Sequence, residues 1–255
     1  MGFDMQQKST DERQQRARTK YRSLTGPFEW YLSFKDLKPV LEKLLPPDRD
    51  HSEILVLGSG NSPFSEDLYA AGYTNITNID SSEEIVRQMR QKCHELTEMD
   101  WLQGDASRLL FPAECFDVVI DKACTDAMLL KTSGPEDVAY TVATVNMLLK
   151  ANGLYISLSH SPPPQRLPFL TANFLDWKIE AMKVPKHALP HKNEPPESLF
   201  YYLYVCRRPD APMTTRAAVR RSILARNSAA LAPAEMKKLA SAYKLWDESE
   251  EEEDD

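Results

Sequence analysis

No run of about eighteen apolar residues occurs in this sequence, so a membrane-spanning helix is not expected. The first twenty residues, MGFDMQQKSTDERQQRARTK, lack an apolar core and therefore a secretory signal. Their acidic residues Asp4, Asp11 and Glu12 argue against a mitochondrial presequence. Gly2 has no Ser or Thr at position 6, so the myristoylation pattern fails too. The four cysteines, Cys93, Cys115, Cys124 and Cys206, form no C-x-x-C pair and have no histidine cluster beside them. They are expected to be reduced and mostly buried, in a cytoplasmic protein without a metal site. A basic excess is also missing. The net charge is −7, and eight of the last nine residues, DESEEEEDD, are acids. The rest of the chain then carries only +1, which favours neither nucleic acid nor an anionic membrane as partner.

What is present is an alternation of strand and helix patterns. FEWYLSFKDLKPVLEKLLPPDRD reads as a helical approach segment, with Phe34, Leu37, Leu41, Leu44 and Leu45 on one face. Pro39 is expected to break it and to open a second helix. Strands are expected at EILVLG, ITNID, MDWLQGD, FDVVID and GLYISLS. Helices are expected at SPFSEDLYAAG, SSEEIVRQMRQKCHEL and PEDVAYTVATVNMLLK. Ser81 and Glu84 have capping-box spacing. This order implies a parallel α/β sheet covered on both faces. NFLDWKIEAMKV and SLFYYLYVCRR have no helix between them and read as a closing antiparallel hairpin. Residues 209–246 read as a helical appendage, 247–255 as a disordered acidic tail, and 1–20 as a flexible N-terminus.

The chemistry is carried by ILVLGSGNSPFSEDLYAAG, a strand that breaks into a glycine turn at Gly58 and Gly60. A dinucleotide fingerprint needs a third glycine at position 63, where Pro63 stands. Ser62 can cap a helix beginning at that proline. S-adenosylmethionine (SAM) has no phosphate and tolerates the looser loop, so the turn favours SAM over a nicotinamide dinucleotide. Asp80 ends ITNID twenty residues after Gly60, placed to accept both ribose hydroxyls of an adenosine. Ser81 is expected to cap the next helix and leave Asp80 free. In LQGDA, Asp105 is placed to accept from an adenine amino group, with the Ala106 amide beside it. FDVVIDKACTDAML ends at the ligand edge of the sheet without an aromatic clamp for a flipped base, which lowers the case for a nucleobase substrate.

With LVLGSGNSPFSEDLYAAGYTNITNID, FDVVIDKACTDAML and FEWY on the page, the chain resembles the eukaryotic methyltransferase-like enzymes that methylate lysines of translation elongation factor 1-alpha. The resemblance spans about residues 17–208, counted along the sequence. It implies a class I methyltransferase domain over 21–208: a seven-strand Rossmann-like sheet of five parallel strands and a terminal hairpin, with helices on both faces. It also implies a cofactor site of Tyr21, Trp30, Gly58, Gly60, Asp80, Ser81, Asp105, Ala106 and Lys122. Asp121 and Asp126 are candidates to steer an incoming ammonium; no catalytic residue is assigned. The implied substrate is a protein lysine, with elongation factor 1-alpha as the protein. A small-molecule methyltransferase, a nicotinamide oxidoreductase and a non-catalytic SAM-fold scaffold are the competing readings. The chain departs from the family at Ala17, usually Trp, and at Lys-Ala-Cys-Thr-Asp, usually Lys-Gly-Thr-Leu-Asp.

Overall fold

A computed structural model describes residues 26–172, 175–186 and 196–210. Tyr21, Ala17, the flexible N-terminus, the helical appendage beyond Asp210 and the acidic tail lie outside the described residues. The first helix, α1 (Phe34–Leu44), opens on a capping box. The Ser33 hydroxyl accepts from the Asp36 amide, and the Asp36 carboxylate accepts from the Ser33 amide. It runs unbroken through Pro39. The expected break is absent: Pro39 removes one helical donor, but Phe34, Leu37 and Leu41 are buried against the core, and that burial holds the helix.

Seven strands follow: β1 (Ile54–Leu57), β2 (Ile76–Asp80), β3 (Met99–Gln103), β4 (Phe116–Lys122), β5 (Leu149–Ser159), β6 (Lys178–Pro185) and β7 (Phe200–Arg207). They form one sheet in the order β3-β2-β1-β4-β5-β7-β6. The first five are parallel, and β7 pairs antiparallel with both β5 and β6. Five parallel strands and a terminal antiparallel hairpin are the arrangement that the family resemblance implies. The order reverses at β1, between β2 and β4, so the β1 turn sits at the switch point where open parallel sheets bind ligands.

The apolar runs of β1 and β4 are buried on both faces. Ile54, Val56, Val118 and Ile120 pack with α1 and with α2 (Phe64–Ala70) and α3 (Glu83–Lys92). Leu55, Leu57 and Val119 pack on the opposite face with α5 (Gly134–Leu148). That alternation explains why these strands read as continuous rather than alternating hydrophobic runs. Among the described residues, no helix is long and apolar enough to cross a membrane.

Two further helices, absent from the pattern expected above, sit at the carboxyl edge: α4 (Cys124–Leu129) and α6 (Pro163–Leu170). Helix α3 is capped by Ser82, whose hydroxyl accepts from the Ile85 amide; the expected cap at Ser81 is displaced by one residue.

Candidate functional site

The glycine turn is tied to the end of β2. The Ser59 amide donates to the Ile79 carbonyl over 3.0 Å, and the Gly60 amide donates to the Asp80 carboxylate over 2.9 Å. Gly58 and Gly60 both have φ near +57°, at +56° and +58°. A side chain at Gly58 would place its Cβ 2.7 Å from the Cys124 sulfur, so both conformation and space demand glycine. Pro63 precedes α2, and the Ser62 hydroxyl accepts from the Phe64 amide over 3.1 Å. The helix thus starts one residue later than Pro63, with Ser62 still closing its first turn.

Asp80 is not free, contrary to the sequence expectation. One oxygen accepts from Gly60 and the other from the Ser82 amide, each over 2.9 Å. Because Ser82 rather than Ser81 caps α3, Asp80 is drawn into shaping the turn. Each oxygen retains a second acceptor site. The carboxylate is only 8% exposed, and burial raises its pKa against the two backbone bonds. No cation pairs with it among the described residues. A carboxylate held this way at a switch point fits a neutral diol donor such as a ribose edge.

On the neighbouring strand, the Gly104 amide donates to the Asp80 carbonyl, which fixes the loop carrying Asp105 and Ala106 beside Asp80. Asp105 caps a short 3-10 turn, accepting from the Ser107 amide and hydroxyl over 2.9 and 2.8 Å. Partial burial works to raise its carboxyl pKa. The Ser107 bonds, with Lys131 and Arg108 nearby, outweigh burial and lower it. Asp105 is exposed, Ala106 is buried behind it, and Ser81 is exposed at the end of β2. These residues line adjacent strand ends and fit an adenosine.

A strap of residues 26–33 crosses the carboxyl edge of the sheet. The Asn61 side chain ties its start, donating to the Gly26 carbonyl and accepting from the Phe28 amide. The Ser62 hydroxyl donates to Glu29 over 2.8 Å. Lys122, buried at the end of β4, pairs with Glu29 and donates to the Trp30 carbonyl over 2.9 Å. Burial lowers the Lys122 pKa, while Glu29 works to raise it. Lys122 therefore faces the strap, where the family resemblance had implied a cofactor contact. Trp30 stands half out of the surface, edge-on to Phe28 at 4.9 Å.

The two candidate steering acids part company. Asp121 is fully buried, and its carboxylate accepts from the Thr125 amide and hydroxyl, Tyr155 and Ser157. It braces β4 against β5 and α4, so the substrate-facing role expected from sequence does not hold. Asp126 is also buried, but it sits behind groups at the surface. It accepts from Tyr31 Oη over 2.7 Å, Ser159 Oγ over 2.6 Å, the His160 amide over 2.9 Å and His160 Nδ1 over 2.8 Å, and it pairs with Arg166. Burial works to raise the Asp126 carboxyl; Arg166 and His160 outweigh it and hold the group well below the usual carboxylate range. Tyr31 adopts φ +64° to reach this cluster, and stacks on Tyr201 at 4.4 Å between ring centroids. Burial, then Asp126, drives its phenol pKa far up.

Glu29, His160 and Arg166 were not singled out from sequence. His160 had a usable signal: it directly follows β5, the parallel strand beside β4. Arg166 lay in a proline-rich stretch that reads as loop. Ala123 has φ +69°. Glycine adopts that conformation without strain, which accounts physically for the glycine usual at this family position.

A family model described as "Methyltransferase domain" matches residues 54–153. EEF1A lysine methyltransferase 4 of Mus musculus is 33% identical over 164 residues, which cover 61% of this chain and 63% of that protein. The eEF1A lysine and N-terminal methyltransferase of Homo sapiens is 36% identical over 135 residues, 52% of this chain and 19% of that protein. The matched region thus covers less than two thirds of either relative. Among solved structures, phosphoethanolamine N-methyltransferase 1 of Haemonchus contortus shares the fold. Its TM-score is 0.52 at 14% identity, covering 80% of this chain and 48% of that one. Residues 54–153 therefore match a methyltransferase domain, within a sheet that shares its fold with solved methyltransferases, in a chain similar to the eEF1A lysine methyltransferases.

Proposed function

We propose that this protein is a SAM-dependent methyltransferase that transfers methyl groups to a lysine side chain of a protein in the cytoplasm, with elongation factor 1-alpha as the substrate. The observation that carries the reading is Asp80, a buried carboxylate without a cation among the described residues, whose two oxygens each keep an acceptor site beside the glycine turn. Gly58, Gly60, Asp80, Ser81, Asp105 and Ala106 would hold the adenosine end of SAM, and Trp30 would cover it. Tyr21 belongs to the same proposed set from the family resemblance. Bound SAM supplies a methyl already activated by its sulfonium. The protein has to align the acceptor with it, exclude water and leave the acceptor uncharged. The similarity to eEF1A lysine methyltransferases supports the substrate. The four free cysteines support a reducing compartment.

The test is incubation of the full chain with methyl-labelled SAM and unmethylated recombinant elongation factor 1-alpha, followed by peptide mass spectrometry. Label on a lysine of that protein supports the reading. Label only in small molecules, or SAM binding with no transfer to protein, overturns it.

A further inference from the structure

The proposed cofactor residues occupy the ends of β1, β2 and β3, with the strap closing over Lys122 at the end of β4. Asp80 and Asp105 mark the adenosine end. With the adenosine end assigned to β2 and β3, the carboxyl ends of β4 and β5 are what this chain leaves for an acceptor to reach a bound cofactor. His160 stands at that edge. It directly follows β5, whose Leu158 pairs with Lys122 of β4, and its side chain is 56% exposed.

The imidazole is oriented by its neighbours. Asp126 Oδ2 accepts from Tyr31 Oη at 2.7 Å and lies 2.8 Å from His160 Nδ1, while Oη and Nδ1 are 2.9 Å apart. An ionised carboxylate only accepts, so Nδ1 carries the hydrogen that Asp126 receives. The lone pair of the neutral ring is then on Nε2, which has no hydrogen-bond partner among the described residues. Asp126 is itself fixed by Arg166 and by the Ser159 hydroxyl, so the ring is held from behind while its other nitrogen remains available. The charged and titratable groups around it are Asp126 on α4, Arg166 on α6, Tyr31 on the strap and, beyond it, Tyr201 on β7 with Lys186 over its ring.

We infer that His160 is the proton acceptor for the incoming lysine, with Asp126 and Tyr31 as its positioning residues. The inference rests on the proposed lysine methyl transfer and deepens it. The lysine ammonium gives one proton to His160 Nε2, which becomes imidazolium. The freed amine pair forms the N–C bond to the SAM methyl as the S–C bond breaks, and that bonding pair leaves with sulfur. The products are a protonated methyl-lysine and S-adenosylhomocysteine, and His160 returns its proton to water. The need is plain from an ordinary lysine pKa of about 10.4, which leaves about one amine in 2,500 neutral at pH 7.

The experiment compares the full chain with His160→Ala and His160→Gln on elongation factor 1-alpha, across pH, with SAM affinity and melting temperature measured in parallel. The wild-type rate is expected to depend less steeply on pH than that of either variant. His160→Ala should lose about 10²- to 10⁴-fold in kcat with little change in SAM affinity. Its rate should keep rising toward the lysine's own pKa, and added imidazole should restore part of it. Nitrogen-15 NMR of the wild type should show hydrogen on Nδ1. Wild-type rates in both variants, a loss that imidazole does not rescue, or hydrogen on Nε2 would overturn the inference while leaving lysine methylation standing. Absence of any lysine transfer by the wild type would overturn both.

Discussion

The Nζ of Lys122, at the end of β4, donates to the carbonyl oxygen of Trp30 over 2.9 Å, and so fixes where the strap crosses the sheet. The same ammonium pairs with Glu29, which also accepts from Ser62 behind the glycine turn. One buried cation therefore joins the strap, the turn and β4. Tyr31, the next residue along, continues the strap to Asp126 and His160.

Lys122→Met keeps the length and apolar stem but removes the donor. Glu29 and the Trp30 carbonyl then lose a charged partner, at a cost of about 1–3 kcal/mol. A melting curve should show that loss, and calorimetric titration should show weaker SAM binding because Trp30 is no longer held. Unchanged melting and unchanged affinity together would remove the strap from the cofactor site.

Asp80→Asn tests the proposed ribose contact while preserving one acceptor for the turn. Charge-assisted hydrogen bonds contribute roughly 1.5–3 kcal/mol each. Losing the equivalent of one to two of them should weaken SAM binding at least tenfold, with circular dichroism unchanged. Wild-type affinity in a folded Asp80→Asn protein would rule out the ribose assignment.

The sheet was legible because its central strands β1 and β4 are almost wholly buried, so Ile54–Leu57 and Phe116–Lys122 announce themselves by composition. Alternation implied a parallel sheet and the helix-free end a closing hairpin; the class I arrangement came from the family resemblance, and the strand order from the structure. The misreadings have local causes. Pro39 reads as a break in the sequence, but burial of Leu37 and Leu41 on either side overrides its missing donor. Two adjacent serines left the cap of α3 ambiguous by one residue, and that ambiguity made Asp80 look free. Asp121 and Asp126 are alike in sequence, and only the tertiary placement of Tyr155, Ser157 and Arg166 separates a brace from a positioning group. Helix α6 hid behind Pro162, Pro163, Pro164 and Pro168, although proline at a first helical turn is itself a start signal.

Gly58→Ala combines a left-handed backbone with a contact of 2.7 Å to the Cys124 sulfur. The conformation alone costs about 1–2 kcal/mol, and the overlap adds to it. Cys124→Ala removes the sulfur but leaves its Cβ near the new methyl, so the double variant should recover only part of the loss. Denaturant unfolding of the four members of this cycle measures the coupling. Simple additivity would mean that Cys124 does not define the space at Gly58.

Asp126→Asn leaves the Arg166 guanidinium buried and unpaired, since Arg166 is only 1% exposed. Removing one partner of such a pair costs about 3–5 kcal/mol. The loss should depend on pH with a definite sign. The folded pKa of Asp126 is depressed below the unfolded value of about 3.9, so its contribution is fully present above that value and fades as pH falls toward the folded pKa. The gap between wild type and Asp126→Asn in urea midpoint should therefore be widest near pH 7 and narrow below pH ~4. Charge isolation, rather than lost volume, is the cause to be tested. Replacing both partners, as Asp126→Leu with Arg166→Met, should cost less than Asp126→Asn alone near neutral pH, because the buried guanidinium is removed together with the carboxylate it pairs with. If the double variant is the less stable of the two and the gap does not change with pH, Asp126 supports the fold through packing and the ion pair is incidental.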